Sequence, residues 1–151
     1  MQLARSTDLA LRTMMRLAVS GSADHRVTAK LVARQVDSSE HQVAKAVSRL
    51  AELGFVASYR GRGGGIFLTE AGRGATVGQI IRALEGDAEV VACLGEHPCP
   101  LATDCRLRRV LQDAKEAFYR ELDNYHLADL VSPRIVELLH LPAIPLPAHE
   151  N

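Results

Sequence analysis

The sequence predicts a mainly α-helical fold with one small β-hairpin, and three observations carry that expectation. Apolar residues recur at three- and four-residue steps through much of the chain. Two short strand-like runs flank a glycine-rich turn at residues 60–65. One long amphipathic segment follows near residue 105. At 151 residues and 47% hydrophobic content, the chain is sized and composed for a single domain with a packed core.

The first helix is expected over residues 2–19, with Leu3, Ala10, Met14 and Leu17 on one stripe and Ser20-Gly21-Ser22 as its stop. Asp8 borders that apolar strip and needs a partner, which Arg12 at i+4 can supply. Thr28 caps a short helix over 29–35 that buries Leu31 and Val32. Asp37, with Glu40 three residues on, resembles a capping box, and Ser38 is the alternative cap. The helix they open runs to about Leu53, burying Val43, Ala46, Val47 and Leu50, and Gly54 ends it. Its outer face carries His41, Gln42, Lys45, Ser48 and Arg49. Two short helices joined by a tight turn, the second basic outside, form a helix-turn-helix.

Residues 55–59 and 66–69 read as the two strands, joined by Arg60-Gly-Arg-Gly-Gly-Gly65. Hairpin and helix-turn-helix together predict a winged helix, with residues 1–74 as a DNA-binding domain. In such a domain Ser38, His41, Gln42, Lys45 and Arg49 are placed for base edges. Arg60 and Arg62 are placed for backbone or minor groove. A nucleotide-phosphate loop is excluded: there is no G-x-x-x-x-G-K-[ST], and residue 66 is isoleucine where G-x-G-x-x-G needs glycine.

Residues 70–74 read as a linker. Thr76 with Gln79 forms a second capping box, opening a helix through Ile80, Ile81 and Leu84 that stops at Gly86. From near Cys105, Leu107, Leu111, Ala114, Phe118, Leu122 and Tyr125 mark one apolar seam. That seam predicts a dimerisation helix over 106–130, packing on the chain's own domain being the rival. Residues 131–151 hold a short helix and a proline-rich tail. Net charge is zero, yet residues 1–74 sum to +5 and residues 75–151 to −5, so a basic front half can meet a polyanion.

Residues 75–105 hold a linking helix and the feature with most chemistry, the three cysteines Cys93, Cys99 and Cys105 with five residues in each gap. Arg5, Asp8, Arg12 and Arg16 interrupt the amino terminus, so it does not read as a secretory signal, and no membrane span stands out. An odd cysteine count without such a signal predicts a reducing cytoplasm and no disulfide framework. C-x₅-C-x₅-C is too open for a zinc knuckle, and zinc would need a fourth ligand. An iron–sulfur cluster suits the wider gaps, and a [4Fe–4S] cluster would leave one iron for a weaker ligand. A thiol redox switch, a zinc-stabilised protein and three unligated cysteines remain open on spacing alone. No triad, carboxylate pair or cofactor loop points to an enzyme.

The chain resembles the iron–sulfur winged-helix repressors typified by IscR and NsrR, over residues 1 to about 130. The resemblance rests on Ser6-Thr-Asp-Leu-Ala-Leu-Arg12, Leu50-Ala-Glu-Leu-Gly-Phe-Val56, the glycine-rich turn and Thr76-Val-Gly-Gln-Ile-Ile-Arg-Ala-Leu-Glu-Gly86. The three cysteines and Leu127-Ala-Asp-Leu130 complete it. It implies a homodimer bound to double-stranded operator DNA and controlled by a cluster on the three cysteines, [4Fe–4S] ahead of [2Fe–2S]. The nitric-oxide-sensing branch is the nearest in resemblance, which makes nitric oxide the expected signal. The IscR branch places a histidine three residues after the last cysteine, where this chain has Arg108. Glu96 and His97 are local alternatives for the fourth ligand. Asp8, brought by a dimer partner, is the leading candidate.

Overall fold

A computed structural model of the chain describes residues 2–19, 27–59, 61, 64–86, 89–94 and 97–138. Seven α-helices and one hairpin occur among them: α1 (Arg5–Val19), α2 (Ala29–Gln35), α3 (Glu40–Glu52), β1 (Val56–Tyr59), β2 (Gly65–Leu68), α4 (Glu70–Gly74), α5 (Val77–Glu85), α6 (Arg106–Leu122) and α7 (Pro133–Leu138). A 3₁₀ turn, Leu127–Leu130, lies between α6 and α7. The architecture is the expected winged helix-turn-helix followed by a long helix.

The main core lies where α1, α2, α3 and the hairpin meet, and Met14, Val32, Val43 and Leu50 are fully enclosed there. Burying each such side chain contributes roughly 1.5–3 kcal/mol. Arg16 reaches from α1 to the Gln35 carboxamide of α2, and burial lowers the pKa of its guanidinium. The turn between α2 and α3 differs in detail from expectation. Ser39, and neither Asp37 nor Ser38, caps α3, its hydroxyl accepting the Gln42 N–H at 3.2 Å. Asp37 instead takes φ of 52°, the left-handed conformation that a short polar side chain tolerates and a tight turn requires.

The strands pair antiparallel with Val56 opposite Leu68 and Tyr59 opposite Gly65, and Val27 bridges to Ile66. Tyr59 and Phe67 stack on the outer face with centroids 5.3 Å apart. Residues 70–74, expected as a linker, form a helical turn because the Thr69 hydroxyl accepts the Gly72 N–H at 3.0 Å. Gly72 is obligatory there, since a Cβ would run into the Phe55 carbonyl.

A second, smaller core joins α5 to α6 through Val77, Ile81 and Tyr119, with Phe118 and Leu122 against them. The expected capping box of Thr76 and Gln79 is present. The seam on α6 is divided. Its carboxyl-terminal part packs on α5, while Leu107 is 63% exposed and Ala114 is exposed too; Val110, off the seam, is 55% exposed. Tyr125 is exposed at the helix's end. No helix among the described residues is long and apolar enough to cross a membrane. The proline-rich tail lies outside the described residues.

Candidate nucleic-acid interface and cysteine loop

Helix α3 presents His41, Gln42, Lys45, Ser48 and Arg49 to solvent, while Ser38 in the preceding turn is half-buried. Gln42 is held in place: the Ser38 and Ser39 hydroxyls each donate to its Oε1 at 3.1 Å. With that oxygen engaged, the carboxamide has its N–H₂ donors left to offer outward. Arg49 pairs with Glu52 at 3.1 Å, both exposed. Arg60 and Arg62 lie outside the described residues. Between them in the sequence, Gly61 takes φ of 99°, and its carbonyl accepts the Gly64 N–H at 2.9 Å.

The cysteines occupy the connection between α5 and α6. Each is a free thiol, Cys93 buried and Cys99 and Cys105 half-buried. The loop folds back on itself through the Cys99 N–H to the Cys93 carbonyl at 3.0 Å, and Ala102 N–H to the Cys99 carbonyl at 3.0 Å. Cys105 is the N-cap of α6, its Sγ accepting the Arg108 N–H at 3.4 Å. Burial pushes the Cys93 thiol up, with Cys99, Cys105 and Glu89 adding to the effect and the Arg108 cation opposing it. Any metal centre binding Cys93 as thiolate must displace that proton.

Arg108 has a structural task that spacing did not reveal. Its guanidinium forms two bonds to Glu89, one of them Nε to Oε2 at 2.9 Å, and Nη1 donates to the Ala102 carbonyl at 3.1 Å. It therefore clasps both arms of the loop to the first turn of α6. The Arg108 hydrogen bond holds the Glu89 carboxyl below the usual carboxylate range, and Glu89 raises Arg108 in turn. An open groove of about 280 Å³ runs beside the clasp, lined by Glu89, Val91, Ala102, Cys105 and Arg108 among others.

The donor chemistry of the loop fits an iron–sulfur cluster in kind, with three thiols within thirteen residues. Among the described residues no three histidine, cysteine or acidic side chains converge as a single-ion site. His97 is exposed and Glu96 lies outside the described residues. Asp8 ion-pairs with Arg12 at 2.8 Å, both side chains more than half exposed, so α1 displays it on the surface.

A second polar network ties α5 to α6. Arg82 bonds Glu116 at 2.9 Å and Asp123 at 3.3 Å, and sits 4.5 Å from the centroid of the Tyr119 ring. Thr76 completes it by donating to Asp123 Oδ1 at 2.9 Å. Both networks join residues far apart in the chain, which local patterning does not register.

Comparison with known proteins places this arrangement. The profile of the Rrf2 family, described as "Iron-dependent Transcriptional regulator", matches residues 3–133. The HTH-type transcriptional repressor NsrR of Streptomyces coelicolor is 52% identical over 132 residues, covering 87% of this chain and 89% of that protein. The HTH-type transcriptional regulator NsrR of Geobacillus kaustophilus is 38% identical over 136 residues, covering 89% of this chain and 92% of that protein. Among solved structures, CymR, the global cysteine regulator of B. subtilis, superposes with a TM-score of 0.60 at 30% identity, covering 86% of this chain and 95% of that one. T. potens IscR does so at 0.62 and 25%, covering 86% and 85%. These relatives are regulators and not enzymes, and the chain belongs to the Rrf2 family of transcriptional regulators.

Proposed function

We propose that this regulator is a homodimeric repressor of the cytoplasm that binds operator DNA through α3 and the wing and releases it on exposure to nitric oxide. The loop from Cys93 to Cys105 carries the proposal: three free thiols on one short connection between the wing domain and the long helix. Cys93, Cys99 and Cys105 would hold an iron–sulfur cluster, [4Fe–4S] in preference to [2Fe–2S], with Asp8 from the partner subunit as fourth ligand. When bound, that group supplies iron open to attack by nitric oxide, the signal of the branch that the sequence resembles.

The chain's own residues do the rest. Leu107 and Val110, exposed on the first half of α6, offer an apolar face for a second copy. Asp8 must give up or share its pairing with Arg12 to reach a ligand site. Ser38, His41, Gln42, Lys45 and Arg49 meet base edges, and Arg60 and Arg62 the backbone or minor groove. A dimer reads two half-sites about one DNA turn apart, so a small rotation between subunits spoils simultaneous contact. Loss of the ligands' common hold frees the loop and the start of α6, which changes that rotation.

Anaerobic purification followed by titration with nitric oxide tests the proposal. The protein should show the broad visible absorbance of an iron–sulfur cluster, and operator affinity should fall as that absorbance bleaches. A colourless protein with bound zinc, or binding curves indifferent to nitric oxide, would sink it. Asp8→Ala with an unaltered spectrum and nitric-oxide reaction rate would remove Asp8 from the ligand set.

A further inference from the structure

A groove of about 360 Å³ lies away from the cysteine loop, between the first turn of α1, the outer face of α3 and the end of α5. Arg5 and Ser6 of α1, Gln42, Lys45 and Arg49 of α3 and Leu84 of α5 are among its lining residues. None of its lining residues is acidic. Arg49 already pairs with Glu52, whereas Arg5 and Lys45 have no carboxylate partner among the described residues. Arg5 and Lys45 on one concavity without a lining carboxylate make a local positive field suited to an anion.

The placement indicates which anion. Gln42, Lys45 and Arg49 fall at successive positions of one exposed stripe on α3, so one wall of the groove is the face offered to DNA. A duplex lying along that stripe meets residues that also line the groove, and it presents phosphates at regular intervals. The residue before α1 is held: the Ala4 N–H donates to Glu85 Oε1 at 3.0 Å, tying the start of α1 to the last turn of α5. Arg5 and Ser6 follow directly, both exposed.

We propose that this groove seats a backbone phosphate of bound DNA, with Arg5 as its cation and the Ser6 hydroxyl as a hydrogen-bond donor. Helix α1 then grips the duplex alongside α3 and the wing. The assignment rests on the reading of α3 as the DNA-facing helix. It adds affinity and register but little sequence preference, because a phosphate is the same at every base pair.

The test uses the full-length protein with its loop loaded and an operator duplex enriched by that protein from a random pool. Affinity is measured across a series of KCl concentrations. Arg5→Ala should weaken binding roughly three- to thirtyfold at moderate salt and flatten the log–log salt slope by about one per bound subunit. The preference for the operator over a random duplex should hardly change. Arg5→Lys keeps the charge and should retain the slope, and Arg120→Ala, an exposed cation of α6 outside the groove, should alter neither quantity. A wild-type slope in Arg5→Ala overturns the phosphate seat. If Lys45→Ala weakens binding while Arg5→Ala does not, the seat falls and the DNA-facing role of α3 stands. If the unaltered protein enriches no duplex, that underlying role falls as well.

Discussion

The wing domain and the cysteine loop are built on opposite terms. In the wing domain, apolar side chains from α1, α2, α3 and the hairpin turn inward, and Met14, Val32, Val43 and Leu50 lose all contact with solvent. In the loop, Leu94 is 66% exposed and Leu101 68%, while Cys93 and Ala102 are buried. Backbone hydrogen bonds and the Arg108 clasp hold the loop in place of a core. A close-packed region resists deformation, whereas one held by a few polar contacts opens at small cost. The contrast accords with the proposed function, in which the DNA-binding part keeps its shape while the cysteine loop rearranges.

Truncating one leucine in each region should give very different losses. Leu50→Ala should cost about 2–5 kcal/mol, because the enclosed site cannot collapse around the missing atoms. Leu101→Ala should stay within about 0.5 kcal/mol of the parent, its side chain being mostly in water already. Urea unfolding of the two variants measures both, and equal losses would mean that the loop is packed after all.

The junction between the regions comes next. Gly78 lets α6 approach α5 so closely that a Cβ would overlap the Asp123 carboxylate and lie 2.6 Å from the Tyr119 carbonyl. Gly78→Ala should therefore destabilise by about 1–3 kcal/mol through overpacking, despite alanine's better helix propensity. A stabilised Gly78→Ala protein would show that α6 is free to move away. Thr76→Ala removes an N-cap acceptor from Gln79 and a donor to Asp123, and should cost about 1 kcal/mol. Thr76→Ser, retaining the hydroxyl, should recover most of that loss.

What could be read in advance follows the same division. Caps and helix faces are local, so Thr76 with Gln79, the buried stripe of α3 and the antiparallel hairpin were legible from spacing. The α3 cap was misplaced because Asp37, Ser38 and Ser39 are all cap residues by type. Backbone conformation chose among them, sending Asp37 into the left-handed turn. Residues 70–74 looked like a linker because Gly72 and Gly74 disfavour helix, yet Thr69 caps the turn and Gly72 is needed against Phe55. Position 108 read only as a missing histidine. Its bonds to Glu89, nineteen residues away, appear only once the chain has turned back on itself.

The Arg108 clasp shows itself in loop opening more than in global stability. Arg108→Ala breaks an ion pair whose side chains remain about one-third exposed, so the urea midpoint should hardly move. The same substitution frees Glu89 and the Ala102 carbonyl together, loosening both arms of the loop. Buried Cys93 should then alkylate several-fold faster in metal-free protein, as local opening exposes the thiol without global unfolding. Cys99 and Cys105, already half-buried, should accelerate less. Mass-spectrometric timing with a neutral alkylating reagent separates the three sites. If Cys93 keeps its rate in Arg108→Ala, the loop is held by its backbone bonds, and the boundary between rigid and yielding regions runs inside the loop instead of at its ends.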